Sequence, residues 1–239
     1  MSNVAALTRR ELAAYFLSPI AYIVLTVFVL LPGYVLSEVL VRRVGAADLT
    51  PVLHLMGWLL LFLSPMLTMR LFADEFQSGT VEPLLTAPVT TLEVVVSKYL
   101  AALFVLAAAL VPTFLYAAVL LGLGRPDPGP LVAGYFGLFL LGGYFLAVGM
   151  VASACVRTQI GAALVALVAL LLLQSMGLVV PSDAVDPLSR TLRYVSYWNH
   201  FYEVFPRGIL DTRDVVFFVS HSVFGVFLTA VIVSVRRWG

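Results

Sequence analysis

The chain has 239 residues, 62% of them hydrophobic and 11% charged, with 14 Lys and Arg against 13 Asp and Glu, a net charge of +1 and a mean hydropathy of +1.04. That hydropathy excludes an ordinary soluble domain, and the balanced charge provides no basic excess for holding nucleic acid. The lone Cys155 excludes an internal disulfide.

Splitting the chain at its charged residues leaves six uncharged windows, at 12–37, 49–69, 99–124, 128–156, 158–182 and 215–235. A helix crosses the apolar core of a bilayer in about 20 residues, and every window is long enough. We therefore expect an all-α integral membrane protein forming a single domain over 1–239, with spans near 18–38, 50–70, 98–123, 130–153, 159–180 and 214–235.

Ahead of the first span, helical spacing puts Val4, Leu7, Leu12, Tyr15 and Phe16 on one side and Arg9 and Arg10 on the other. That pattern predicts an interfacial amphipathic helix on an anionic leaflet. Glu11 interrupts the apolar side, and three partners are open to it: Arg70, a second protein, or water. Pro19 turns the chain into the membrane. The first window exceeds the apolar region of a signal peptide and no small-residue cleavage site follows it, so it is expected to stay as an anchor. Pro32, Pro65 and Pro112 fall inside the first three spans and are expected to kink them.

Between the second and third spans lies DEFQSGTVEPLLTAPVTTLEVVVSK, from Asp74 to Lys98, which is far more polar than its surroundings. Thr90 as N-cap and Glu93 three residues later form a capping box, starting the third helix about two turns before its apolar part. Upstream, Gly79 permits a sharp turn, Thr80 can cap, Glu82 suits a positive first turn, and Pro88 ends the segment. The result is a helix of about two turns carrying Leu84 and Leu85. So short a helix needs a surface to pack on, either its own helix ends or a groove on a partner.

Further along, Gly134, Gly137, Gly142, Gly143, Gly149 and Ser153 give the fourth helix a small-residue surface for close packing. Between the last two spans, 183–213 holds Leu188, Leu192 and Val195 at helical spacing and then Tyr197, Trp198, Phe201, Tyr202 and Phe205. It reads as a short helical hairpin with its aromatics at the membrane boundary. His200 and Glu203 stand three apart and read as a surface pair.

Six spans put both termini and 74–92 on one side. Counting Lys and Arg does not say which side, because each carries seven of the 14. No window contains an Asp, Glu, Lys or Arg, one of which a proton- or ion-coupled carrier normally places inside the membrane as its relay, and His54 and His221 near window ends read as half-wet, hydrogen-bonded rings, which disfavours that class. The chain has neither an H-E-x-x-H nor a G-x-S-x-G motif, and its only lysine, Lys98, sits between Ser97 and Tyr99, so there is no P-loop. No catalytic residue, cofactor or metal is expected, and any ATP would be hydrolysed on another polypeptide.

The stretch EFQSGTVEPLLTAPV, Glu75 to Val89, with Glu93 and Lys98 beyond it, resembles the E-x-x-x-G-T-x-E-x-L-L-x-x-P segment of the type 2 ABC transporter permeases. LTRRELAAYFLSPIAYI near the start and FYEVFPRGILDTRDVVFFVS before the last span are similar to the branch containing the gliding-motility permease and the permease of nitrous-oxide reductase maturation. The resemblance implies a permease subunit, an exporter, in a bacterial or archaeal inner membrane with both termini cytoplasmic. It implies that 74–92 contains the coupling helix, making Glu75, Gly79, Thr80, Glu82, Leu84, Leu85 and Pro88 the ATPase interface. The implied partners are cytoplasmic ABC ATPase subunits, a second permease copy or homologue, an accessory extracytoplasmic subunit and membrane lipids. The rival is a passive membrane protein, a lipid scramblase or an assembly scaffold, which would have no use for the Asp74 to Lys98 stretch.

Overall fold

The computed structural model describes residues 2–42, 49–78, 89–123, 127–179 and 186–238. Among these every regular element is helical: α1 (Ser2–Phe16), α2 (Pro19–Arg42), α3 (Thr50–Thr68), α4 (Ala73–Ser78), α5 (Thr91–Leu110), α6 (Phe114–Leu123), α7 (Pro128–Cys155), α8 (Gln159–Val179), α9 (Pro187–Val195), α10 (Tyr197–Tyr202) and α11 (Thr212–Trp238). Six helical stretches are long and apolar enough to span a membrane: Pro19–Val41, Thr50–Gln77, Thr91–Gly122, Pro128–Cys155, Gln159–Gly177 and Thr212–Arg236. The protein is an all-α, multi-pass membrane protein.

The six spans are not equivalent. Within its most apolar window α7 is 72% buried and α3 61%, whereas α2, α8 and α11 are between 22% and 28% buried. So α7 and α3 form the centre, and the outer helices turn leucine, valine and phenylalanine outward. Outside a soluble protein such exposure needs no compensation, since lipid tails are as apolar as the side chains they meet.

The small residues of α7 explain its position. A methyl group built on Gly137 would lie 2.4 Å from Cγ of Phe205, and one on Gly149 would lie 2.1 Å from Thr68 Oγ1. Backbones approach there to distances that any side chain would prevent. Gly137→Ala is therefore expected to cost about 1 to 3 kcal/mol, because the fully buried Phe205 ring has nowhere to move. Gly122→Ala is the control: nothing lies within 4 Å of the new methyl, and the change removes a glycine from a helix. Thermal melts in detergent should show a loss for the first and no loss for the second.

Of the three prolines, only Pro112 coincides with a change of helix type. The third span passes through a 3-10 turn at Val111–Thr113 between α5 and α6. Pro32 and Pro65 lie inside continuous α-helices.

The segment before the last span departs most from expectation. Tyr197, Phe201 and Phe205 turn inward and are fully buried against other helices. Their spacing of four makes one ridge, which meets the glycine surfaces: Phe201 and Tyr202 press on Gly57 of α3, and Phe205 on Gly137 of α7. Gly208, at φ 84°, then turns the chain back toward α11. His200 is not paired with Glu203 on the surface. Its ring is buried, stacked on Phe217 at 4.0 Å, with Nδ1 2.5 Å from Asp214 Oδ1, while Glu203 is exposed. A turn of aromatic residues offers the imidazole more buried surface inward than the Glu203 side does outward.

Candidate functional site

The polar residues on the termini side converge on α4, the six-residue helix that leads into 79–88. The third span leaves Lys98 there because of how it starts. Thr90 Oγ1 accepts the Glu93 N–H at 3.2 Å, and Glu93 Oε2 accepts the Thr90 N–H at 2.8 Å, closing a capping box. From that start Val94, Val95, Ser97, Lys98, Ala101 and Ala102 form the buried face of α5. Lys98 is thus carried inward, to 2% exposure.

Its ammonium group has two carboxylate partners from different elements. Nζ donates to Glu75 Oε1 at 2.7 Å and to Glu11 Oε1 at 3.2 Å, and it stands 5.4 Å from the centre of the Phe72 ring. An ammonium withdrawn this far from water is tolerated only with partners of opposite charge. Glu11 thereby gains a partner that spacing alone did not suggest, neither Arg70 nor water. The only lysine of the chain lay one buried position along a helix whose start was legible, and that was the available signal.

Three further contacts reach α4, through Ala73, Asp74 and Phe76, and others brace the turn ahead of it. The N–H groups of Phe72 and Ala73 both donate to Ser153 Oγ of α7 at 3.1 Å, and Ser153 donates in turn to the Met69 carbonyl at 3.1 Å. Gln159 of α8 donates to Asp74 Oδ1 at 2.7 Å. Arg70 donates to Ser18 Oγ, in the turn between α1 and α2, at 2.6 Å. Arg236 of α11 lies 4.7 Å from the centre of the Phe76 ring and donates to the Cys155 carbonyl. Tyr15 adds a bond from α1 to the Leu67 carbonyl at 2.9 Å; burial, with Glu11 nearby, raises its ionisation well above the usual phenol range, so it remains a donor. A cavity of about 200 Å³ between α1, α3, α4 and α5 is lined by Arg10, Glu11, Arg70, Asp74, Glu75 and Lys98 among others.

Of the residues singled out in the sequence, the structure brings Glu11 and Glu75 together at Lys98 and joins Thr90 to Glu93. Arg9 and Arg10 are exposed on α1. Gly79, Thr80, Glu82, Leu84, Leu85 and Pro88, with the short helix expected there, lie outside the described residues. Among the described residues no cluster of His, Cys, Asp and Glu is arranged to hold a metal. What the arrangement can do is mechanical: α4 touches α5, α7, α8 and α11 and is linked to α1 through Lys98, so a displacement delivered to it has four direct neighbours and a fifth one step away.

Residues 2–209 match the sequence profile of the family described as ABC-2 type transporter. No curated protein matches the chain.

Proposed function

The chain belongs to the ABC-2 type transporter family, and from that premise we propose that it is the exporting membrane subunit of an ABC transporter whose ATP is hydrolysed on separate cytoplasmic subunits. Its segments near Glu75, Pro19 and Asp214 are similar to the branch of the gliding-motility and nitrous-oxide reductase maturation permeases. In this reading 79–88 is the coupling helix, seated in a groove of the ATPase with Leu84 and Leu85 as anchors. The functional unit contains a second permease copy or homologue, in a bacterial or archaeal inner membrane with the termini cytoplasmic.

The observation that carries this reading is the network around α4. Immediately before the proposed coupling helix, an ion pair, hydrogen bonds and a cation–ring contact join one short element to α5, α7, α8 and α11, and Lys98 extends the link to α1. ATP binding would displace 79–88, and α4 would pass the displacement to α5 through Glu75 and Lys98, to α1 through Lys98 and Glu11, and to the central α7 through Ser153. Each contact has a definite geometry to break or keep, as a switch between two states of the bundle requires.

The reading demands that α4 face the ATPase, so labelling tests it. In a Cys155→Ser background, a cysteine at Gln77 should be protected from an impermeant thiol reagent in intact cells, and one at Arg190 should react. Both positions are exposed on the protein surface. Reaction at Gln77 from outside would put 79–88 beyond the reach of a cytoplasmic ATPase and end the proposal.

A further inference from the structure

We propose that the flank of α5 holds one anionic phospholipid from the leaflet on the termini side, its phosphate on Arg9 and its two acyl chains in two grooves that adjoin along that helix. One groove, of about 510 Å³, runs between Ala5, Arg9 and Leu12 of α1 and Leu100 and Phe104 of α5. The other, of about 530 Å³, is bounded by Leu92, Val96, Tyr99 and Leu103 of α5, with Phe139 of α7 and Phe227 of α11. At about 100° per residue the two sets of α5 side chains are neighbours on one face of the helix. Leu92, Phe104 and Phe227 are each more than half exposed, so both grooves open outward. The Tyr99 hydroxyl in the second groove donates to the Gly143 carbonyl at 3.1 Å and asks nothing of a hydrocarbon chain.

Arg9 identifies the occupant. Two residues apart, Arg9 and Glu11 leave α1 on nearly opposite sides: Glu11 turns inward to Lys98, and Arg9 outward to the groove. Arg10 lines the inner cavity instead. Among the described residues no carboxylate forms an ion pair with Arg9. A guanidinium at the mouth of an apolar trough is complementary to a phosphate with hydrocarbon beneath it.

The depth matches as well. The Thr8 hydroxyl, one residue before Arg9, approaches the Ser97 carbonyl at 3.4 Å, so Arg9 stands level with Lys98, the last charged residue before the window 99–124. From that level the grooves continue to Leu103 and Phe104, roughly 10 Å along the helix. One leaflet of the hydrocarbon core is about 15 Å deep, so the grooves take the upper part of each chain. A second copy of this chain is the rival occupant, but it would have to bring a carboxylate to Arg9, whereas an anionic lipid carries its phosphate at that depth. A lipid seated there presses α1 onto α5 from the side opposite the ion pair of Glu11 with Lys98.

Native mass spectrometry of the purified full chain in detergent, titrated with dioleoyl phosphatidylglycerol or dioleoyl phosphatidylcholine, tests the site. The two lipids share their chains, but choline neutralises the phosphate of the second. The first phosphatidylglycerol should bind about fivefold more tightly than the first phosphatidylcholine, the worth of one cation beside an anionic headgroup. Arg9→Gln removes that preference, while Arg157→Gln, at another exposed arginine on the same side, keeps it. Ala5→Trp fills the α1 groove and removes the tight first step. Equal binding of the two lipids by the wild type overturns the proposal, as does an Arg9→Gln variant that keeps the preference. A preference lost equally in Arg157→Gln reflects overall charge and overturns it too, and a tight first step that survives Ala5→Trp places the lipid elsewhere. Chain dimers that form without lipid and are broken by Ala5→Trp assign the groove to a second copy instead.

Discussion

Lys98→Met lowers the stability of the protein by about 3 kcal/mol, the low end of the usual penalty for removing one partner of a buried ion pair. Two carboxylates, Glu75 and Glu11, are then left facing each other without the cation that held them. The low end applies because the two acids keep 19% and 18% side-chain exposure, so water reaches them and screens part of the repulsion. At roughly 2 to 4 °C per kcal/mol for a chain of this size, the melting temperature falls by about 6 to 12 °C. The triple variant Lys98→Met with Glu75→Gln and Glu11→Gln is expected to recover most of the loss, since replacing a whole buried ionic set by neutral groups is often near neutral. An unchanged melting temperature for Lys98→Met would mean that the ammonium group is solvated and that α4 is not held through it. Recovery of stability without recovery of ATPase coupling is the result expected if the charges transmit force as well as hold the fold.

Leu84→Ala with Leu85→Ala, or Glu82→Lys, produces the complementary result. Truncating anchors at an interface costs about 2 kcal/mol or more, roughly a thirtyfold loss of affinity, whereas a solvated surface helix absorbs such changes within about 0.5 kcal/mol. The permease should insert and melt normally on its own while its ATPase no longer co-purifies, or hydrolyses ATP without coupling. Pull-down of the ATPase beside a melt of the permease alone separates the two roles. If the variants melt early but bind and couple normally, 79–88 is a structural turn that packs on its own helix ends.

The spans were legible because hydrocarbon imposes a simple rule: charges fall outside them, and 11% charge leaves six clear gaps. The capping box at Thr90 was legible for a related reason, since it is complete within four residues. Contacts between elements were not. Glu11 and Lys98 are 87 residues apart, and their meeting depends on how α1 and α5 are rotated about their own axes, which periodicity leaves open. His200 was assigned to Glu203 because spacing detects only neighbours on one helix, whereas Asp214 approaches from the next. The aromatic run was placed at the membrane boundary by composition. That Phe201 and Phe205 also fill clefts at Gly57 and Gly137 is visible only in the three-dimensional pairing. Orientation was unreadable for a different reason, the equal number of cations on the two sides.

The 3-10 turn at Val111–Thr113 gives the third span a lever arm. Breaking an α-helix in hydrocarbon normally strands carbonyl groups, but here Tyr135 donates to the Thr113 carbonyl and Thr113 to that of Leu110, both at 2.6 Å. The joint is therefore closed by hydroxyl groups worth about 1 kcal/mol each, far less than a packed helix face. Beyond it α6 extends ten residues, an arm of about 15 Å. A swing of about 20° at the joint carries its tip sideways by about 5 Å, the width of a hydrocarbon chain, with the rest of the bundle standing still.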